Sequence, residues 1–389
     1  MTSPTLLARL APTVALLAAL ACEGGQPPRW DVEPVDLAFD ARTTPGDVAR
    51  ANLDAQVTAL GAAVDRHAYD GYRASLVPLL LQRAQVAGDV GDVTRASETA
   101  STVADPALRG RLIASTLGAL HRFDEAVDTL ADPDAEAGDT YRLARGDDPA
   151  PIVEARTAGA EADPTFDRLV DLAIALTEAG RYDEADQAYR DALGTLRDVS
   201  PFPVAFVQFQ RGVMWAERAG RPGRALALYR EAVARLPSYV VANVHLAELE
   251  VELGQAEQAI DRLRPLAEGP DPEPAAFLAE LLAGTPEAAR HLARATARYE
   301  TLLSEQRLAY AAHGAEFFLG PGADAERALE LALDNLANRS TDGAYELAIE
   351  AAEVNGEQAL ACRLALEVAD PRTAGLRDMV ARLGASCAD

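Results

Sequence analysis

The sequence contains no lysine. All 36 basic residues of the 389-residue chain are arginine, and they stand against 61 acidic residues, which gives a formal net charge of −25 at pH 7. Nucleic-acid-binding proteins present clustered basic side chains to the phosphates, whereas these arginines are dispersed among acids. The charge pattern therefore predicts no nucleic-acid partner and favours solubility and basic partners.

Aromatic residues are also scarce, at 5% of the chain, although 49% of the residues are hydrophobic. The apolar share consists mainly of alanine and leucine, which favour helices. Runs of valine, isoleucine and threonine bounded by turn residues, which would indicate strands, are missing. The composition predicts an all-α protein, built either as several domains or as one elongated array.

Catalytic and cofactor-binding motifs are missing as well. The sequence has no G-x-S-x-G, H-E-x-x-H, P-loop, G-x-G-x-x-G or EF-hand pattern. Its three cysteines do not form paired C-x-x-C ligand sets. The sequence therefore predicts a protein that is not an enzyme and that needs no cofactor.

The N-terminus has the pattern of an export signal. Arg9 is followed by an apolar stretch over residues 10–21 that ends in small residues. This stretch is too short for a membrane-spanning helix, which needs about 20 apolar residues, and it has the dimensions of a signal-peptide core. We interpret residues 1–21 as a signal peptide.

The end of this signal, Ala19-Leu20-Ala21-Cys22, resembles the lipobox of bacterial lipoproteins. The resemblance implies a lipid on Cys22 and a location in the bacterial cell envelope, at the outer membrane or facing the periplasm. The alternative is an ordinary cleavage site after Ala21 and a secreted protein. A short polar run follows Cys22, and we expect residues 22–45 to form a flexible tether.

A repeated pattern occupies the middle of the chain. Residues 172–193 read LAIALTEAGRYDEADQAYRDAL. Gly180 can adopt the positive φ that ends a helix, and Ala185 is small where two helices would cross. The series returns at Gly220 and again at Gly254, a spacing of 34 residues. This spacing predicts stacked helix pairs.

These residues and this period resemble the tetratricopeptide repeat. The resemblance implies a right-handed α-α superhelix of antiparallel helix pairs, a solenoid whose first helices line a concave groove for a protein or peptide. The best-matched units lie at residues 164–273. Irregular helical repeats precede them at 46–163, and divergent repeats with a cap follow at 274–389. With the lipobox-like signal, the chain resembles a bacterial tetratricopeptide-repeat lipoprotein.

Ten residues occupy the groove positions that the resemblance implies. They combine apolar and acidic character, which suits a peptide with hydrophobic anchors and basic flanks. The alternative is that they are solvated or pack against the next repeat. The ten are Val207, Gln210, Met214, Glu217, Arg218, Val241, Val244, Glu248, Val251 and Glu252.

Two histidine–glutamate pairs, His245 with Glu248 and His313 with Glu316, have the i, i+3 spacing that places both side chains on one helix face. If both pairs faced the concave side, they could share a metal ion, and the protein would be a metal carrier or an enzyme. The alternative is that each histidine is a partly buried helix residue that hydrogen-bonds to its neighbour.

Cys362 and Cys387 are the cysteines that remain after Cys22. In an oxidising compartment they form a disulfide; otherwise Cys362 is buried and Cys387 is a free thiol. The leading hypothesis for function is an exported, lipid-anchored scaffold that binds a protein or peptide partner in an envelope assembly. A secreted module that self-associates is a further alternative, and the sequence does not define the oligomeric state.

Overall fold

The computed structural model describes residues 30–130 and 136–387. This part of the chain contains twenty α-helices and no strand. None of these helices has both the length and the hydrophobicity needed to cross a bilayer. The helices are α1 (Gly46–Arg66), α2 (Asp70–Ala87), α3 (Val90–Ser101), α4 (Pro106–Ala119), α5 (Phe123–Thr129), α6 (Glu136–Arg145), α7 (Pro149–Ala162), α8 (Phe166–Glu178), α9 (Tyr182–Thr195), α10 (Pro201–Val213), α11 (Pro222–Arg235), α12 (Val240–Glu252), α13 (Ala256–Leu263), α14 (Glu273–Leu281), α15 (Pro286–Glu305), α16 (Arg307–Leu319), α17 (Ala325–Asn338), α18 (Asp342–Val354), α19 (Gln358–Glu367) and α20 (Ala374–Ser386).

Helices that follow one another in sequence also pack against one another in space. The most extensive contacts are between α8 and α9, α10 and α11, and α16 and α17. A π-helical turn, Met214–Arg218, continues α10 directly. The architecture is an all-α helical repeat superhelix, which confirms the predicted fold class.

The turns between paired helices and the close crossings of those helices lie at the residues that the repeat pattern predicted. Gly180, Gly220 and Gly254 have φ values of 72°, 64° and 74°, a region that favours glycine. Ala185 and Ala225 are completely buried, because a larger side chain there would separate the paired helices. The same residue types in each unit therefore give each unit the same turn and the same close crossing.

Helices of the N-terminal part pack across the superhelix against helices of its C-terminal half. Val90 and Val93 of α3 share a buried apolar cluster with Leu302 of α15. The Ser340 amide, after α17, donates a hydrogen bond to the Arg145 carbonyl at the end of α6, at 2.8 Å. These contacts join segments about 200 positions apart, so the chain itself covers the inner face of the superhelix along them.

Residues 30–44, here called the strap, form an elongated segment without helix or strand that runs across α10 and α11. Arg211 donates from Nη2 to the Asp36 carbonyl at 2.8 Å, and Gln208 donates from Nε2 to the Leu37 carbonyl at 2.6 Å. The strap lies against the helices of the central repeats and covers one face of α10.

The strap corrects the prediction that residues 22–45 form a flexible tether. Residues 30–44 are held because Gln208 and Arg211 satisfy main-chain carbonyls that would otherwise bind water. The donors lie more than 170 positions away in sequence, so the polar composition of the segment gave no sign of them. The predicted signal peptide, Cys22 and residues 22–29 lie outside the described residues.

The structure joins Cys362 of α19 to Cys387, just after α20, in a disulfide with a Cα–Cα distance of 5.8 Å. Of the two alternatives, the bridge is therefore the one observed. It ties the last helix to the preceding helix pair across 25 positions of sequence. A link of this length stabilises a fold chiefly by restricting the unfolded chain.

Candidate functional site

The ten predicted groove residues are covered by other parts of the chain. Six of them are buried and four are half-buried, which agrees with the alternative that they pack against neighbouring segments. The strap over α10 and the packing of the first helices against later ones contribute to this burial. The six buried residues are Val207, Gln210, Met214, Arg218, Val241 and Val244, and the four half-buried residues are Glu217, Glu248, Val251 and Glu252.

His245, on α12, lies between two carboxylates. Its Nδ1 is 3.1 Å from Glu217 Oε1 and 3.4 Å from Glu248 Oε2. Burial disfavours the charged imidazole, but the two carboxylates outweigh burial and raise the pKa of His245 to about 9. His245 is therefore a cation at neutral pH.

His313, on α16, has the same arrangement 68 positions later, which is two repeat periods. Its Nδ1 lies 2.5 Å from Glu273 Oε1 and 3.7 Å from Glu316 Oε2. Burial again opposes protonation, and the negative charge of Glu273 outweighs burial and raises the pKa of His313 to about 9. The nearby Asp271 has a pKa raised to about 7, first by burial and then by the charge of Glu273.

The predicted i, i+3 contacts are present, but the two histidines do not share a metal site. Each Nδ1 already faces a second carboxylate from another segment, Glu217 of the π-helical turn for His245 and Glu273 of α14 for His313. Over residues 30–130 and 136–387, no group of three or more histidine, cysteine, aspartate or glutamate side chains could hold a metal ion. Each histidine is a buried helix residue beside its i, i+3 glutamate, with Nδ1–Oε2 distances of 3.4 Å for His245 and 3.7 Å for His313.

Eight ionisable groups, here called the interior charge ring, line the enclosed face. The charge of each acts on the next, and further acids, Glu178, Asp271, Glu280 and Glu346, interact with members of this set. Pairs of opposite charge lower the cost of burying charge. The ring consists of Arg218, Glu217, His245, Glu248, Glu273, His313, Glu316 and Arg339.

Sequence reasoning found six members of the ring and missed Glu273 and Arg339. Glu273 begins α14, directly after a proline-rich break, and Arg339 follows the end of α17. Neither falls at a repeat position, so no periodic signal marked them. Arg339 is 1% exposed, and burial lowers its pKa to about 10, with the charge of Arg218 acting in the same direction.

A cavity of about 400 Å³ adjoins the His313 side of the ring. Its walls come from α2, α3 and α4 of the first turn and from α10, α12 and α14–α16 of the later turns. The cavity therefore lies at the seam between the first helices and these later helices. No motif indicated the cavity, because it forms between segments about 200 positions apart in sequence.

Comparison with known proteins agrees with the repeat geometry. Residues 216–281 match the family described as "Tetratricopeptide repeat". No curated protein matches the chain. One similar solved structure is that of the APC/C hetero-tetramer Cut9-Hcn1, at 14% identity and a TM-score of 0.42, covering 79% of this chain and 62% of that one. Another is the P58(IPK) TPR domain, at 16% identity and a TM-score of 0.25, covering 87% of this chain and 94% of that one.

The fold and the enclosed face define a helical repeat protein. Residues 216–281 match the tetratricopeptide repeat, as the sequence predicted for this part of the chain. The chain spans about three-fifths of the Cut9-Hcn1 chain that it resembles. Tetratricopeptide repeats suggest a scaffold for protein–protein interaction. A scaffold of this kind needs no catalytic site, and that the protein is not an enzyme stays a prediction.

Proposed function

We propose that the protein is an exported, lipid-anchored tetratricopeptide scaffold that binds a protein or peptide partner in a bacterial cell-envelope assembly. The observation that carries the proposal is the strap, because it is an extended polypeptide held on the repeat surface by repeat side chains. Repeats that bind this segment of their own chain can bind a similar segment of a partner protein.

Several contacts with the strap involve its main-chain groups, so they do not require one particular sequence. Arg235 donates from Nη1 to the Ala41 carbonyl at 2.7 Å, and the Glu33 amide donates to the Gly223 carbonyl at 3.1 Å. Main-chain groups of this kind are offered by any extended segment, and neighbouring side chains add specificity. The acidic surface favours a partner segment with basic residues.

The strap also limits the distance between an anchor and the repeats. Trp30 is fixed by a hydrogen bond from its Nε1 to Glu252 Oε2 at 2.5 Å. About eight residues separate Cys22 from Trp30, which span at most about 30 Å when fully extended. A lipid on Cys22 would therefore keep the repeats close to the membrane surface, where an envelope partner is within reach. The several chains of a lipidated cysteine give stable attachment.

Replacing Cys22 by serine is expected to move the protein from the membrane fraction to the soluble fraction. Globomycin, which blocks removal of lipoprotein signals, is expected to make the larger precursor accumulate. Both effects follow because Cys22 would carry the lipid. The measurement is fractionation of native cells with immunoblotting.

Cys362→Ser is the matched control, because it removes a cysteine outside the lipobox-like segment and should leave the protein in the membrane. A mature Cys22→Ser protein that remains in the membrane fraction would rule out lipid anchoring. Capture from detergent-solubilised native membranes, followed by mass spectrometry, then tests the partner. If no protein is enriched over a resin control, the scaffold proposal fails.

A further inference from the structure

The cavity at the seam has the size of a ligand site. Its volume is about 400 Å³, within the range of about 300–1,000 Å³ that ligand pockets occupy. The buried clusters of the described chain consist mainly of alanine, leucine and valine, whereas the wall of this cavity also carries aromatic and acidic side chains.

Most of the wall is apolar and aromatic. Phe209 and Tyr299 are 3% and 2% exposed, so their rings are fixed by packing and form a rigid surface. Walls of this kind favour an apolar group that displaces weakly bound water. The main apolar contributors are Leu81, Leu112, Phe209, Val241 and Tyr299.

One end of the cavity is acidic. Asp271, Glu273 and His313 all line it, and the imidazole of His313 neutralises Glu273 at 2.5 Å. Asp271 accepts a hydrogen bond from the Glu273 amide at 2.9 Å, and no cation of the described chain lies within ion-pair distance of it. The charges of His313 and Arg298 act on Asp271 from farther away, but burial and the charge of Glu273 outweigh them and raise its pKa. The cavity therefore offers one carboxyl group without a directly paired cation.

The position of Asp271 is fixed by the seam. It packs directly against Gly88, which follows α2 with φ of 67°, and a Cβ on Gly88 would lie 2.5 Å from that of Asp271. Arg111 also lines the cavity, but it is exposed on α4, where water and salt screen its charge. The uncompensated charge in the enclosed part is therefore negative.

We propose that this cavity binds a small amphiphile that has a compact apolar body and a protonated amine, with the amine at Asp271. The apolar body lies against Phe209, Val241 and Leu112, and the ammonium group supplies the cation that Asp271 lacks. A carboxylate head would face Asp271 and the glutamates, and it is excluded by repulsion. This site is separate from the strap surface and does not depend on the proposed scaffold function.

The test uses three probes with the same apolar body: 1-aminoadamantane, 1-adamantanol and adamantane-1-carboxylate. Isothermal titration calorimetry on the full chain is carried out at pH 8, where Asp271 with its pKa of about 7 is ionised, and at 0.15 M salt, so that the net charge of the surface is screened. The amine is expected to bind in a 1:1 ratio, at least about tenfold more tightly than the carboxylate, because only the amine pairs with Asp271. The alcohol is expected to lie between them.

Two variants locate the binding. Asp271→Asn is expected to reduce the affinity for the amine at least about tenfold and to leave the affinity for the alcohol nearly unchanged. Leu112→Trp, which fills the cavity, is expected to abolish binding of all three probes. Asp163→Asn, on an exposed loop, is the matched control and should bind as the wild type does. Circular dichroism establishes that each variant is folded.

Equal affinity for the amine and the carboxylate would overturn the proposal, as would an amine affinity that Asp271→Asn leaves unchanged. Binding that survives in a folded Leu112→Trp protein would place the probe elsewhere and would also overturn it. If no probe binds, the cavity is not a site for this class of ligand. None of these outcomes bears on membrane anchoring or partner capture, so the two proposals fail independently.

Discussion

Arg211→Met is expected to lower the free energy of unfolding by about 2–4 kcal/mol, because it breaks a buried ion pair and leaves the Gln208 side-chain oxygen and the Asp36 carbonyl without their donor. The Arg211 side chain is completely buried on α10. It donates from Nε to Asp186 Oδ1 at 2.9 Å and from Nη1 to Gln208 Oε1 at 3.0 Å. It also donates to the Asp36 carbonyl of the strap.

The loss is expected to be accompanied by release of the strap. Methionine fills much of the space but supplies no donor, so Asp186 keeps only the indole of Trp215 at 3.1 Å and the guanidinium of Arg190 at 3.2 Å. Urea unfolding followed by circular dichroism measures the stability change. Limited proteolysis with mass spectrometry measures cleavage within residues 30–44.

Arg230→Met is the control, because the same change on an exposed arginine of α11 should alter stability by no more than about 0.5 kcal/mol. The assignment of Arg211 as the link between strap and repeats would be refuted if Arg211→Met unfolded at the urea concentration of the wild type and its strap stayed resistant to protease.

The protein is expected to become less stable as the pH rises from about 5.5 to about 9. The pKa values of His245 and His313 are raised from 6.5 to about 9 in the folded protein, each by two carboxylates acting against burial. The folded state therefore binds a proton more tightly than the unfolded state does. This stabilisation is complete below pH 6.5 and is lost as the pH passes through 9, and it amounts to at most about 3 kcal/mol per histidine.

Buried acidic side chains also make the folded protein less stable as the pH rises, over a lower pH range than the histidines. Burial raises the pKa of Asp271, Glu280 and Glu350 to about 7, so the folded state favours their protonated forms. Their contribution is greatest below their ordinary pKa values and declines until the pH exceeds 7. Both sets of groups therefore make the unfolding free energy fall as the pH rises.

Thermal unfolding at pH 5.5, 7 and 9 at constant ionic strength measures this dependence, with a decreasing Tm as the expected result. The double variant His245→Gln, His313→Gln is expected to show a smaller decrease between pH 7 and 9, because neither glutamine titrates. A Tm that is constant or rises over this range would show that the histidines are not held as cations.

The parts of the fold that could be predicted from sequence are the local ones. Gly180 and Ala185 lie within one helix pair, and each has a physical requirement, a positive φ or a close helix crossing, that does not depend on the rest of the chain. The contact of His245 with Glu248 is also local, because one helical turn brings the two side chains together.

The parts that could not be predicted depend on distant segments. The second partners of the two histidines, Glu217 and Glu273, come from other helices, and Asp271 faces its cavity only because α14 meets the first turn. Glu217 and Glu248, two of the predicted groove residues, lie beside His245. Whether the predicted groove is open depends on which distant helices pack across the superhelix, and no residue pattern within a repeat contains this information.

The central claim is that the inner face of the superhelix is closed by the chain itself. Its most direct test is thiol labelling of Val207→Cys and Val199→Cys, each in a Cys22→Ser background. Val207 is completely buried, and Val199, eight positions earlier, is 62% exposed. A closed superhelix predicts that Val207→Cys reacts at least about 100-fold more slowly than Val199→Cys under native conditions, because labelling requires opening. Comparable rates at the two positions would show an open groove and contradict the account.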